Sequence, residues 1–235
     1  LFFREFLHFE FLEKSGLEKI VQSCRSRGQK KIRIWSAACS RGQEVYSLAM
    51  FLSFHLKQIA PDMGYEIFGS DVDSDSVQIA KNGVYRWDEV KEIPSIYMGE
   101  NWARVSGDIE AFVKAKNSIR SHCSFDTINF FKMSQMAGQK FDLIFCRNVF
   151  IYFTPAQIES ITRDLLKNLN DDGFMFIGIS ESFNGMKLPV STLGPSIYGH
   201  ERKHLKVVEA PKTTKAPNTA TSHVSTPSKQ SLTVI

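Results

Sequence analysis

Short apolar runs alternate along the chain with segments in which apolar residues recur at helical spacing. A strongly apolar run at 141–146 predicts a central parallel strand that is buried on both faces. Strands that alternate with helices indicate an α/β domain with a mostly parallel sheet. The other predicted strands lie at 32–35, 65–70 and 174–179, and the predicted helices lie at 14–27, 43–58, 74–82 and from Thr154 onward.

The pattern is weaker between residues 83 and 130. A helix is expected near 90–98, and a small hairpin is expected in which 112–115 and 119–123 flank a turn at 116–118. This hairpin would form a small β-subdomain at about 105–123. Further along the chain, a turn is expected at Asn170–Gly173. Segments expected to extend the main sheet are 125–130, 196–200 and 205–208.

After Ala210 the composition changes to Pro, Thr, Ser, Lys and Ala without aromatic residues. Such a segment cannot bury enough apolar surface to become ordered. We therefore expect one domain at 1–209 and a flexible tail or linker at 210–235. Most of the net charge of +4 belongs to this end, because four lysines and one glutamate follow from Lys206 onward. The nearly neutral remainder argues against a nucleic-acid partner.

Cysteine usage and hydropathy bear on the compartment. The four cysteines include no Cys-x-x-Cys pair, and no histidine lies at ligand spacing to a cysteine, so free thiols and no metal site are expected. No apolar run approaches the length of a membrane span, and no signal-peptide pattern opens the chain. These observations favour a cytoplasmic protein that does not insert into the membrane.

A bend of small residues at 36–42 separates the first predicted strand from its helix. Such a bend lets a ligand approach the backbone, and the N–H groups of the following helix favour an anion. The second strand ends in Asp71, and an acid there accepts hydrogen bonds from ribose hydroxyls. Helix capping is the alternative role for Asp71, although Asp73 or Ser74 is better placed to cap. Because only Gly42 is present and no Gly-Lys-Ser/Thr follows, S-adenosylmethionine fits better than a dinucleotide or a nucleoside triphosphate.

Several longer motifs occur in an order that resembles the chemotaxis receptor methyltransferases of the CheR family. The resemblance covers roughly residues 1–205. Its motifs are FFRE at 2–5, WSAACSRGQEVYSLAM at 35–50, FGSDVDSDSVQIAKNGVYR at 68–86, INFF at 128–131, FDLIFCRNVFIYF at 141–153 and DDGFMFIGISESF at 171–183.

This resemblance implies a Rossmann-like methyltransferase fold with a small inserted β-subdomain. It also implies S-adenosylmethionine as donor, S-adenosylhomocysteine as product, and glutamate side chains of the cytoplasmic domains of chemoreceptors as acceptors. Arg4 and Tyr152 correspond to the pair beside the transferred methyl group. The implied cofactor contacts are Arg4, Glu44, Asp71, Asn129, Phe130, Cys146 and Arg147.

Each implied role has a simpler alternative. Arg4 could be a surface arginine and Tyr152 a core residue, while Glu44 could be an acid favoured in the first helical turn. Arg147 and Asn148 could merely end a strand. The presence of all these residues together favours the functional interpretation.

The sequence departs from the family pattern at three places. The bend reads Arg-Gly-Gln-Glu-Val-Tyr-Ser at 41–47, where the family usually has Thr-Gly-Glu-Glu-Pro-Tyr-Ser. The family's helical N-terminal domain is missing ahead of Leu1, which suggests a trimmed chain. The glycine-rich loop linked to receptor pentapeptides is missing near 105–123, so we expect that tether to be unused. The altered bend is also compatible with an alternative function, that of a catalytically weak signalling module that binds S-adenosylmethionine.

Overall fold

The computed structural model describes residues 1–99, 101–104 and 111–201. A π-helical turn at Leu12–Gly16 joins the first two α-helices, and 3₁₀ turns occupy Phe130–Met136 and Phe150–Tyr152. The α-helices are α1 Leu7–Phe11, α2 Leu17–Ser26, α3 Gln43–Ile59, α4 Ser74–Asn82, α5 Trp87–Val90, α6 Ser95–Met98, α7 Asn117–Arg120 and α8 Pro155–Asn168. The strands are β1 Lys31–Ala37, β2 Gly64–Asp71, β3 Val84–Arg86, β4 Trp102–Arg104, β5 Phe112–Ala115, β6 Cys123–Thr127, β7 Phe141–Cys146, β8 Leu169–Ile177, β9 Val190–Gly194 and β10 Ile197–His200.

Seven strands form the main sheet in the order β6-β2-β1-β7-β8-β10-β9. The first five of these strands are parallel, and β10 is antiparallel to both of its neighbours. The chain builds outward from β1 through β2 to β6 and then returns to the other side of β1 as β7. The crevice between β1 and β7 at the carboxyl edge is therefore the switch point where ligands bind in open α/β sheets.

Alternate side chains of the central strands enter two apolar cores. Ile34 and Phe145 face the core beneath α2 and α3, whereas Trp35 and Ile144 face the core beneath α8. This alternation follows from the two-residue period of a strand and explains why five of the six residues at 141–146 are apolar. The prediction of a mostly parallel α/β sheet is confirmed.

A second, smaller sheet has the antiparallel order β3-β5-β4. The predicted hairpin is therefore wrong, because β5 pairs with β3 and β4, and residues 117–120 form α7. Residues 123–127 join the main sheet beside β2. The helix expected near 90–98 is also wrong, since α5 and α6 are separate short turns.

Three other segments differ from expectation. Helical structure begins at Leu7, earlier than predicted, because Phe9 and Leu12 are fully buried. The turn expected at Asn170–Gly173 lies inside β8, where the pairing with β7 shifts register. The strand expected at 205–208 and the tail expected at 210–235 lie outside the described residues.

Among the residues described, no helix is both long and apolar enough to cross a bilayer.

The bend after β1 depends on Gly42. This residue caps α3 with a φ of 87°, and an added Cβ would lie 2.7 Å from the Cβ of Ala80 and 3.1 Å from the hydroxyl of Tyr85. Gly28 offers a matched comparison, because its φ is 70° and nothing lies within 4 Å of an added Cβ.

Gly42→Ala should therefore destabilise the domain more than Gly28→Ala. We expect Gly28→Ala to lower the free energy of unfolding by about 1 kcal/mol through left-handed strain alone. Gly42→Ala should lower it by roughly 3 kcal/mol, because overpacking adds to that strain. Urea unfolding of both variants measures the difference, and equal losses would contradict the proposed crowding at Gly42.

Candidate functional site

A cavity of about 690 Å³ opens at the carboxyl edge of the sheet, and we call it the edge cavity. The bend after β1, the ends of β2, β6 and β7, and the N-terminal segment contribute its walls. Seven of the eight residues predicted for the site line it, namely Arg4, Glu44, Asp71, Asn129, Phe130, Arg147 and Tyr152. The eighth, Cys146, is fully buried and lines no part of it.

Asp71 holds the bend against the end of β2. Its Oδ2 accepts a hydrogen bond of 2.7 Å from the Ser40 N–H, and its Oδ1 accepts one of 3.1 Å from the Asp73 N–H. Ala38 and Ser40 have φ values of 63° and 49°, an uncommon conformation for residues with a Cβ. Asp73 caps α4 through the N–H groups of the first turn, so capping is not the role of Asp71.

Arg4 lies on a tight N-terminal turn between two left-handed residues. Phe3 has a φ of 48° and Glu5 a φ of 56°, and such strain persists only where surrounding contacts impose it. The Phe3 N–H donates to the Ser47 hydroxyl at 2.8 Å, and the Phe3 ring stacks on Tyr97. The Arg4 side chain is exposed at the edge cavity although its backbone is fixed.

Arg147 is a buried cation that joins three parts of the chain. Its Nε donates to Glu44 at 2.6 Å, and its Nη1 donates to the Arg4 carbonyl at 2.7 Å. The Glu5 carboxylate lies 3.5 Å from the same Nη1, and Ser36 donates to the second oxygen of Glu44 at 2.7 Å. Glu44 and Arg147, both predicted as cofactor contacts, are therefore bonded to each other.

His8 contacts the same guanidinium from the core. Its Nδ1 lies 3.1 Å from the Arg147 Nη1, which can only donate, so His8 accepts there and carries its proton on Nε2. Burial, together with the charge of Arg147, lowers the pKa of His8 to about 4. The imidazole is therefore neutral at physiological pH.

The thiols near the edge cavity are unsuited to nucleophilic chemistry. Burial raises the pKa of Cys39 well above its usual range, and the nearby Asp71 carboxylate raises it further. Complete burial also raises the pKa of Cys146. Both shifts favour the protonated thiol, so neither cysteine is suited to a thiolate mechanism.

The segment that carries Tyr152 leaves β7 through Asn148, whose φ is 58°. The Tyr152 side chain is 77% exposed at the rim of the edge cavity, and Phe131 beside it is 56% exposed. The alternative of a core tyrosine is therefore wrong. An exposed phenol and an exposed arginine that line the same cavity can receive an anionic group that approaches from solvent.

Sequence reasoning missed Glu5, His8 and Glu181. Glu181 is a buried acid that accepts backbone N–H groups from the ends of β7 and β8. Glu5 and Glu181 lie inside the FFRE and GISESF stretches, so their membership in a motif was the available signal. A separate cavity of about 340 Å³ lies over β1, β2 and β6 and contains none of the predicted site residues.

The departures from the family pattern at the bend are accommodated without disruption. The helix α3 begins at Gln43 without the usual proline, and Val45 is buried in the core. The Gln43 amide points toward α5, where it donates to Glu89 at 3.3 Å. The glycine-rich loop discussed for the receptor tether overlaps residues 105–110, which lie outside the described residues.

Comparison with known proteins supports the family resemblance found in the sequence. Residues 1–198 match the family model described as CheR methyltransferase, SAM binding domain. The chemotaxis protein methyltransferase of Salmonella typhimurium is 32% identical over 197 residues, which cover 84% of this chain and 65% of that protein. The chemotaxis protein methyltransferase of Escherichia coli is 32% identical over the same coverage of both chains. This chain therefore spans 65% of the length of these relatives.

Among solved structures, a TehB-like SAM-dependent methyltransferase from Corynebacterium glutamicum shares 15% identity with a TM-score of 0.37. The match covers 73% of this chain and 72% of that one, a similarity too weak to assign function. The family match confirms the predicted resemblance, the Rossmann-like fold class and S-adenosylmethionine as the cofactor of the family. The chain belongs to the CheR methyltransferase family and comprises its S-adenosylmethionine-binding domain.

Proposed function

We propose that this chain binds S-adenosylmethionine in the edge cavity and transfers its methyl group to glutamate side chains of chemoreceptor cytoplasmic domains. The products are glutamyl methyl esters and S-adenosylhomocysteine. One observation carries the proposal: seven residues scattered from Arg4 to Tyr152 converge on a single cavity at the switch point of the sheet. The residues that line the edge cavity suit such a donor, and its volume falls within the range of about 300–1,000 Å³ typical of cofactor pockets.

Asp71 would hold the ribose. A carboxylate offers about four lone-pair positions, and two of those of Asp71 are taken by the Ser40 and Asp73 N–H groups. The remaining positions are free to accept ribose hydroxyls. Asn129 and Phe130 follow β6 and line the neighbouring wall, where they would contact the adenine. Cys146 can contribute only main-chain atoms, because its thiol is buried away from the cavity.

Glu44 and Arg147 would contribute a nearly neutral, pre-ordered wall. Their mutual bond leaves the carboxylate of Glu44 fixed by Arg147 on one oxygen and by Ser36 on the other. A polar group that is already oriented loses little entropy when a ligand binds. We therefore assign Glu44 and Arg147 to cofactor binding and not to proton transfer.

The acceptor chemistry requires positioning and no base. A glutamate side chain has a pKa near 4.3 and is ionised at neutral pH, and the bound sulfonium supplies an activated methyl group. Arg4 presents a planar donor fork that matches a carboxylate bidentately. Tyr152 can donate one further hydrogen bond to orient the attacking oxygen. Both groups lie at the solvent side of the edge cavity, which suits a macromolecular acceptor.

The domain boundaries and the location complete the proposal. We propose that residues 1–209 form the catalytic unit, that 210–235 serve as tail or linker, and that the protein acts in the cytoplasm. Binding of a receptor pentapeptide is not part of the proposed function. Titration of such a peptide against this chain tests that exclusion, and saturable binding would overturn it.

Replacing Asp71 should weaken binding of S-adenosylhomocysteine. A hydrogen bond to a charged group contributes about 1.5–3 kcal/mol, so Asp71→Ala should raise the Kd roughly 10- to 100-fold. Asp73→Ala is the matched control, because it removes a helix cap at a cost of about 1 kcal/mol without touching the cavity wall. Calorimetric titration of both variants separates the two effects. Equal affinities for wild type and Asp71→Ala would remove the ribose assignment.

Arg4→Lys and Tyr152→Phe should each slow methyl transfer. Each variant loses hydrogen bonds to a charged acceptor, so kcat should fall about 10- to 100-fold. The assay measures base-labile radiolabel transferred from S-adenosylmethionine to receptor cytoplasmic fragments. Arg25→Lys, an exposed arginine paired with Asp62 far from the cavity, should keep the wild-type rate. Donor binding without any base-labile label in wild type would favour a signalling module over an enzyme.

A further inference from the structure

We propose that Glu181 and Asn148 are positioning residues that set the placement of Tyr152 relative to Arg4. This inference rests on the proposed function, in which Arg4 and Tyr152 flank the transferred methyl group. Neither Glu181 nor Asn148 needs to touch the reacting atoms. They act through backbone and side-chain hydrogen bonds that tie the two segments together.

Glu181 fixes the segment that carries Tyr152. Its carboxylate, only 8% exposed, accepts N–H groups from Gly178 at 2.7 Å, Asn148 at 3.0 Å and Phe150 at 2.8 Å. A buried carboxylate is tolerated only when such bonds compensate its lost hydration. Gly178 leaves room for the arrangement, because an added Cβ there would lie 2.8 Å from the Glu181 carboxylate.

The position of Tyr152 depends on this backbone and hardly on packing. The ring is 77% exposed, so few neighbours restrain the side chain. Its own N–H donates to the Val149 carbonyl at 3.2 Å, which closes a single 3₁₀ turn. That turn begins at Phe150, the residue whose N–H Glu181 holds. Loss of the Glu181 bonds would therefore let Tyr152 shift while the core stays packed.

Asn148 extends the connection to Arg4. Its side-chain amide donates to the Glu5 carboxylate at 2.8 Å, and Glu5 directly follows Arg4. Both Asn148 and Glu5 have left-handed backbones, so a strained residue in one segment is bonded to a strained residue in the other. The chain of bonds runs from Glu181 through Asn148 to Glu5 and ends beside Arg4.

The contacts proposed for the ribose and the adenine lie elsewhere on the cavity wall. Asp71 and Asn129 follow β2 and β6, on the far side of β1 from Glu181. Disturbing Glu181 or Asn148 should therefore change the rate of transfer and leave donor affinity intact. A residue that only stabilises the fold would lower both together, or neither.

Two substitutions test the connection at different points. Glu181→Gln keeps the volume of the side chain but places an NH₂ group against backbone N–H donors. Asn148→Gly permits the left-handed backbone and its N–H bond to Glu181, and it removes the amide that binds Glu5. Glu159→Gln is the matched control, because Glu159 also accepts a backbone N–H, that of Lys187, away from the cavity.

Three measurements are made on the 235-residue chain. They are kcat and KM for methyl transfer to receptor fragments, the Kd of S-adenosylhomocysteine, and the ¹⁹F spectrum of 3-fluorotyrosine placed at 152. We expect Glu181→Gln to lower kcat at least tenfold and Asn148→Gly at least fivefold, with the Kd within threefold of wild type. The ¹⁹F resonance should shift or broaden in Glu181→Gln and stay unchanged in Glu159→Gln.

The proposal is overturned if both variants keep kcat within twofold, or if kcat and donor affinity fall in parallel. If Glu181→Gln gives no folded protein, Asn148→Gly decides by the same thresholds. A wild-type chain that binds S-adenosylhomocysteine but transfers no methyl group refutes the proposed function instead. The ¹⁹F comparison then decides whether Glu181 positions Tyr152, and an unchanged resonance in Glu181→Gln overturns that role.

Discussion

The buried guanidinium of Arg147 is the interaction on which the site depends. Arg147 directly follows the central strand β7, and its guanidinium forms ion pairs with Glu44 at the start of α3 and with Glu5 in the N-terminal segment. Removing one partner of a buried ion pair typically costs about 3–5 kcal/mol, because a charge is left without compensation. The bonds of Arg147 therefore stabilise the arrangement in which three segments distant in sequence meet at one edge of the sheet.

The backbone at that edge is bent to meet this requirement. Left-handed residues with a Cβ occur at the Arg4 turn, in the bend after β1 and at Asn148, all of them around the edge cavity. The backbone N–H groups of Phe3, Ser40 and Asn148 each donate a hydrogen bond to a side chain of another segment. The two apolar cores, one on each face of the sheet, supply the stability that offsets this local strain.

Much of the fold could be predicted because its signals are local. The strand 141–146 is apolar at every position but Asp142, and Asp73 and Thr154 cap the helices that follow them. The predicted hairpin was wrong because the strands that pair with β5 are distant from it in sequence. The turn predicted at Asn170–Gly173 was wrong because this segment pairs in β8 despite its turn-like composition. Most of the site residues were predicted from the resemblance of their motifs to those of the family. The bonds that Glu5 and Glu181 accept could not be predicted, because the sequence around an acid in a loop does not show which donors will surround it.

The N-terminal segment has a consequence for how long the edge cavity keeps its shape. Residues 1–12 supply Glu5, one of the two carboxylates that pair with Arg147, and also bury Phe3 and Phe9 in the larger core. Peeling this segment away would uncover aromatic surface and remove the bonds from Arg147 to the Arg4 carbonyl and to Glu5 at the same moment. Local fraying is suppressed by that double penalty, so the wall opens only in rare, cooperative fluctuations. The edge cavity is therefore preformed and does not need a ligand to assemble it.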